Sequence, residues 1–305
     1  MDLVNEYTSS EEDIEEGPEP ALVDISIYLL NYSEQKNMSG LFLYLLWRPS
    51  PPMMSKLKQA SKEIIRHIES NLPEVKNNYN WNSVGTPPKS LYGKYSVTNV
   101  SLLASPHITM FPNIRGETYK VQRFLENVSN AIKNIKIPPQ LIKFDDAELK
   151  RRENLNKMLF KSSSSNSDSI LSPCKFVSFS LVPKLSVFTS NTSKNVFIAA
   201  KIDLSSPESE LFFSTLKQII RENVELLDLT VDGSLDKNDY HVSLVMGEFK
   251  GLSSRRKDVS VLRNSFLRLD FSNLLQDLRI NVNSFYINQL GSTRKTIEVP
   301  LNTDA

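Results

Sequence analysis

One cysteine, Cys174, stands in a chain of 305 residues. A disulfide within the chain is thereby excluded, as is any zinc site built on paired cysteines. A reducing compartment suits such a chain best. Histidine is almost as scarce, with His67, His107 and His241 the only three. No apolar run approaches the roughly 20 residues of a membrane span. The longest, LFLYLLW at 41–47, has the length of a strand. The chain does not open on the basic-then-apolar pattern of a secretory leader. Lysine and arginine are missing from residues 1–35, which hold ten aspartates and glutamates.

That last absence unmasks a charge asymmetry. The other 270 residues carry 36 basic against 25 acidic side chains, so the formal charge of +1 conceals a body of +11 behind an acidic tail. A basic body suits a polyanion such as RNA. Composition predicts a disordered acidic tail over 1–36, where Gly17, Pro18 and Pro20 break any helix. One folded unit is expected over 37–305, with a first lobe at about 40–140 and a second at about 174–301.

Periodicity sets out the elements. Residues 41–47 read as a buried strand, ended by Pro49, Pro51 and Pro52. A helix is predicted over about 53–72, with Leu57, Ala60, Ile64, Ile68 and Leu72 inward and Pro73 as its stop. Residues 74–100 read as a long aromatic-rich loop with room for a short hairpin. A strand is expected over 101–111, then a helix over 118–135 burying Val121, Phe124, Leu125, Val128, Ile132 and Ile135. KSSSSNSDSILSP at 161–173 is low-complexity. Beyond it come the strands FVSFSLV and LSVFTS, a turn at 191–194, and NVFIAAKID, in which Val196, Ile198, Ala200 and Ile202 share a face. A helix follows with Pro207 in its first turn and Leu211, Leu216, Ile219 and Ile220 inward. The strand HVSLVM, a helix over about 258–276, and strands at 280–290 and 296–301 close the chain.

Two of the three histidines carry a hydroxyl two places on: His107-Ile108-Thr109 and His241-Val242-Ser243. Strand side chains alternate faces, so each histidine shares a face with its hydroxyl, about 6–7 Å along the strand. The motifs lie 134 residues apart, each after a strand, a helix and a connection. A repeated unit of this kind brings its two copies together across a cleft. His67, on the first helix, has Glu69 at the equivalent place and reads as structural.

Two imidazoles with ordinary values near 6.5 are suited to taking one proton and giving another at neutral pH. Thr109 and Ser243 can donate hydrogen bonds to phosphate oxygens as charge develops on them. Such a device transesterifies a phosphodiester through a neighbouring 2′-hydroxyl, so it cuts RNA and not DNA. It calls for no metal or other cofactor.

The paired motifs resemble those of the 2H phosphoesterase superfamily. GLFLYLLW with its following helix, PHITM, the hairpin LSVFTSNTSKNVFIAAKID and YHVSLVMG together resemble the U6 small nuclear RNA phosphodiesterase family. The resemblance runs over roughly residues 40–300. It implies an α+β fold of two pseudo-symmetric lobes, with antiparallel sheets facing a central cleft and helices outside. It implies 3′-to-5′ trimming of a uridine-rich RNA end, leaving a 2′,3′-cyclic phosphate that some members open further. On this sequence His107 and His241 become the acid–base pair, and Thr109 and Ser243 the phosphate-binding hydroxyls. Asn191, Asp239 and Tyr240 are the candidates for contact with the base, although alternation sets Tyr240 on the face opposite His241. The implied partner is the single-stranded 3′ end of U6 RNA or oligouridine, and the implied setting is the nucleus; a monomer away from membranes is the default expectation. Family members often carry an aromatic six places before the second histidine, where this chain has Leu235; Tyr79, Trp81, Tyr92 and Tyr95 are then the candidates for base stacking. Two other readings are open: a cyclic or 2′,5′-phosphodiesterase acting on small nucleotides, and a non-catalytic RNA-binding subunit.

Overall fold

The computed structural model describes residues 37–83, 106–144, 175–189, 195–231, 239–251, 255–290 and 295–303. The acidic tail, the low-complexity stretch, Cys174, Asn191, Leu235, Tyr92 and Tyr95 lie outside these residues.

Strand β1 (Met38–Leu46) leads to helix α1 (Pro51–Asn71), which starts on Pro51 and Pro52 and ends before the four-residue α2 (Pro73–Lys76). A proline at the first helical position lacks only an N–H that would go unpaired there anyway. Leu57, Ala60, Ile64 and Ile68 form the buried stripe, as their spacing predicts. The stretch expected as a loop with room for a short hairpin opens on the end of α2 and then holds a strand, β2 (Tyr79–Ser83). Next come β3 (His107–Glu117), α3 (Thr118–Lys133) and β4 (Ile142–Phe144). The two strands expected on either side of Pro183 are one strand, β5 (Lys175–Thr189). Its pairing with β6 (Val196–Ile202) shifts register between Leu181 and Leu185, around the proline that has no N–H to give.

Helix α4 (Pro207–Leu226) is capped by Ser206, whose hydroxyl accepts from the Ser209 N–H at 3.1 Å. Glu208 and Glu210 in its first turn favour the positive end of the helix dipole. Its inward stripe differs from the expected one: Phe212 and Phe213 are buried, while Leu211 is 58% exposed. The remaining elements are β7 (Thr230–Val231), β8 (His241–Phe249), α5 (Arg255–Phe266), α6 (Ser272–Leu275), β9 (Arg279–Val282), β10 (Ser284–Leu290) and β11 (Lys295–Pro300). The helix expected over 258–276 is thus two helices, and the strand expected over 280–290 is two strands.

All pairings among the described residues are antiparallel, and the main strand order is β11-β10-β1-β3-β8-β6-β5-β4. At its centre β3 and β8 share a single residue pair, Ile108 opposite Val242. Beyond that pair β7 continues along β3 and β2 continues along β8. Two half-sheets therefore meet at one point and diverge from it. They do not follow the expected lobe boundaries. β10 and β11, from the end of the chain, extend the β1 side, while β2, from the first half, extends the β8 side. The crossing occurs at Asn283, between β9 paired on β5 and β10 paired on β1.

One face of the network holds the core. Leu41, Leu43 and Leu45 of β1, Trp47 just past its end, and Val196, Ile198, Ala200 and Ile202 of β6 all join it. Helix α3 covers β1, β3 and β11 and packs on α4; α1 covers β8 and β2; α5 lies on β5. No helix among the described residues is long and apolar enough to cross a membrane.

Candidate active site

Antiparallel register builds the site. With Ile108 opposite Val242, His107 stands opposite Ser243, and Thr109 stands opposite His241. Ile108 and Val242 are fully buried and face the core; the four flanking side chains are half-buried and share the other face. Directly opposite residues bring their Cβ atoms to about 4.5–5.5 Å. Each histidine is thus set beside the other motif's hydroxyl. Neither the Thr109 nor the Ser243 hydroxyl makes a hydrogen bond among the described residues.

The neighbouring strand orients His107. Thr109 pairs with Tyr44 and His107 with Leu46, so even-numbered residues of β1 lie on the site face. The His107 ring meets Phe42 and Tyr44 edge-on, at centroid distances of 5.9 and 5.7 Å. Tyr44 in turn stacks on Tyr286 at 5.4 Å, and the Tyr286 hydroxyl accepts from the Arg48 guanidinium at 3.0 Å. Burial, with a hydrogen bond to Glu298, pushes the Tyr286 phenol up to about 12, so it stays protonated.

His241 is held from three sides. Its Nδ1 lies 2.7 Å from the Asp239 carbonyl oxygen. A carbonyl only accepts, so Nδ1 carries the hydrogen and the neutral ring presents the Nε2 lone pair. The Phe188 ring stacks flat on the imidazole, with centroids 3.8 Å apart and planes inclined by 12°. Lys201 is opposite His241 on β6; its ammonium pairs with the Asp239 carboxylate at 2.7 Å and lies 5.9 Å from the Phe188 centroid. Desolvation under these groups pushes the imidazole down to about 4, helped by the positive charges of His107 and Lys201 and opposed by the Asp239 carbonyl and carboxylate.

The other expected site residues fall in different places. Asp239 is half exposed beside His241, engaged with Lys201. Tyr240 is 4% exposed and stacks on Phe213 at 4.5 Å within the core. The alternation along the strand accounts for this. Asn191 is outside the described residues. Of the stacking candidates, Tyr79 is buried in the core and Trp81 packs over Gly247. His67 bonds Ser265 at 2.7 Å and ties α1 to α5. Phe188 was not singled out by the sequence. It falls in LSVFTS, but nothing in that stretch says which ring it meets two strands away. Among the described residues no three histidine, cysteine or carboxylate side chains converge as a metal site would need.

No protein-family model matches the sequence, and no curated protein matches it either. Solved structures do. The chain is similar to Kluyveromyces marxianus Usb1, with a TM-score of 0.54 and 13% identity over 87% of this chain and 99% of that one. It is likewise similar to Kluyveromyces marxianus Usb1 with uridine monophosphate, with a TM-score of 0.51 and 15% identity over the same shares. The chain has the fold of these structures, a mixed arrangement of helices and antiparallel sheet.

Proposed function

We propose that this protein is a phosphodiesterase of the U6 small nuclear RNA phosphodiesterase family, trimming a uridine-rich RNA 3′ end by attack of the penultimate 2′-hydroxyl. The observation that supports the reading is the Ile108–Val242 pair, beside which His107, Thr109, His241 and Ser243 are half-buried on the other face. The Usb1 fold supports it, and the uridine monophosphate bound to one Usb1 structure is in keeping with a uridine-ended substrate. An antiparallel pair has a local two-fold axis between its strands. Two H-x-[ST] motifs related by that axis are in keeping with the pseudo-symmetric arrangement that the resemblance to the 2H superfamily implies.

In the reaction, His241 Nε2 takes the 2′-hydroxyl proton as the oxygen bonds to phosphorus. The bond from phosphorus to the 5′-oxygen of the terminal nucleotide breaks, and His107 gives that oxygen its proton. A 2′,3′-cyclic phosphate remains on the shortened RNA. The Nδ1–H bond to the Asp239 carbonyl leaves Nε2 as the free proton acceptor, which suits His241 to be the base. Thr109 and Ser243 donate to the non-bridging oxygens, where preorganised donors act on charge as it forms. The reaction needs no metal. A nuclear monomer acting on the single-stranded end of U6 RNA is the setting this reading implies.

The test uses purified protein, EDTA and a 5′-labelled oligonucleotide ending in several uridines. A second oligonucleotide has a 2′-deoxy penultimate residue. Stepwise shortening of the first, with the second resistant, is expected. Binding without shortening of either would leave an RNA-binding module, and turnover of small cyclic or 2′,5′-linked nucleotides alone would leave the small-nucleotide enzyme.

A further inference from the structure

His241 is contacted by a ring that the pairing pattern alone would not bring to it. Phe188 of β5 pairs with Phe197 of β6, whereas His241 of β8 pairs with Lys201, four residues along β6. In a flat sheet those positions lie more than ten ångströms apart, given about 4.8 Å between strands and 3.3 Å per residue. Yet the rings stack at 3.8 Å. The strands between them are therefore not a flat sheet, and a register shift between Ile198 and Ala199 against β8 lies on the path from Phe188 to His241. Phe188 is half-buried on the site face, in step with Ser186, Ala199 and Ser243 along the alternation.

We propose that Phe188 is the positioning residue for His241. Its flat face fixes the plane of the imidazole while the Asp239 carbonyl fixes the rotation about it, so that Nε2 alone is offered to the substrate. A hydrogen bond at Nδ1 leaves the ring free to swing about that contact. A parallel ring at van der Waals distance removes the swing. Phe188 also takes water from one side of the imidazole. The charged groups facing the ring are His107 from β3, Lys201 from β6 and Asp239 just ahead of it on its own chain. Two of the three disfavour an imidazolium and act with the burial. Stacking itself favours a cation, and burial outweighs it here.

The proposal rests on the phosphodiesterase reading for its kinetic consequence but not for its spectroscopic one. Phe188→Ala opens the ring face. Phe188→Leu keeps apolar volume for folding without a flat surface, and Phe188→Tyr restores the surface. On the uridine-ended oligonucleotide, Ala and Leu are expected to lower kcat by about 10–100-fold, as a loosened reacting group does, with KM little changed and Tyr near wild type. NMR titration of the three histidines, with His241 assigned by its loss in His241→Gln, is expected to show its value rising toward 6.5 in Phe188→Ala and returning in Phe188→Tyr. The acid limb of the pH–rate profile should move with it. Wild-type kcat in folded Ala and Leu variants overturns the proposal. So does a fall in activity carried by KM with an unmoved His241 titration, which would make Phe188 a surface for the substrate base. If the wild-type protein cleaves no RNA, the functional reading fails, and the titration still decides whether Phe188 governs the His241 environment.

Discussion

Ile108 and Val242 face each other across the only residue pair that β3 and β8 share among the described residues, and both are fully buried. That pair makes each motif complete the other, since Thr109 flanks His241 and Ser243 flanks His107. The four side chains should then act as one unit. His107→Ala and His241→Ala are each expected to cost about 10²–10⁴ in rate while RNA binding persists. Thr109→Val, which keeps the shape and removes the hydroxyl, should cost about 10²–10³. The double histidine variant should fall little below either single one, because an acid and a base serving one step are not additive. Single-turnover cleavage of the labelled oligonucleotide measures all four. Losses that simply multiplied would mean the motifs work separately.

The low value of His241 also predicts how stability responds to acid. Its folded value is about 4, against about 6.5 for an unfolded histidine. Between those values the unfolded chain binds a proton that the folded chain does not. Stability present above pH 6.5 is therefore lost as pH falls toward 4. His241→Gln removes that contribution, so its denaturation midpoint should decline less steeply than the wild type's between pH 6.5 and 4. Parallel declines would place the histidine's titration outside the linkage.

Much of this was legible in the chain, and the reasons are local. The spacing of Leu57, Ala60, Ile64 and Ile68 gives the buried face of α1, because helical period alone decides which side chains share a stripe. The H-x-[ST] spacing gives the shared face of each motif for the same reason. What lay out of reach depended on partners. Nothing in TIEVP says that β11 extends the β1 side of the sheet. Pro207 places the start of α4, but the choice of Phe212 and Phe213 over Leu211 follows from Phe179 of β5 waiting at 5.3 and 4.9 Å. Along β8, simple alternation puts Val245 with His241 and Ser243. A register shift against β6 at this point turns Val245 into the core, where it is 1% exposed.

That irregularity is held by Ser61. Fully buried on α1, its hydroxyl lies 2.8 Å from the carbonyl oxygens of both Leu57 and Leu244. Leu244 directly follows Ser243, so the helix supports the backbone just past the second motif. Ser61→Ala leaves the Leu244 carbonyl without this donor in a dry environment, and should destabilise the fold by about 1–3 kcal/mol. Urea denaturation measures it. The positions of Ser243 and His241 should loosen as well, so activity should fall at temperatures where the variant remains folded. An unchanged midpoint would show that the Leu244 carbonyl finds another donor.

Gly247 marks the far end of the same strand. It pairs with Trp81 on one side and Val196 on the other. A Cβ placed on it would lie 2.7 Å from the Trp81 Cζ3 and 3.0 Å from Cε3 and Cη2. The indole thus lies flat over the space that only glycine leaves open, and it joins Tyr79, 5.1 Å away, against the core. This contact secures β2, in the stretch where the sequence predicts a loop with room for a short hairpin. Gly247→Ala must displace the indole, a rigid group that cannot yield like the end of a flexible chain. The cost expected is that of overpacking, about 1–3 kcal/mol. Trp81→Leu should relieve it: in the double variant the added methyl meets a smaller, adaptable side chain, so the double variant should lose less than the sum of the two single losses. Denaturation of the four proteins of this cycle, followed by far-ultraviolet circular dichroism, decides it. Full additivity would mean that the strand shifts as a whole and that Trp81 does not read the glycine.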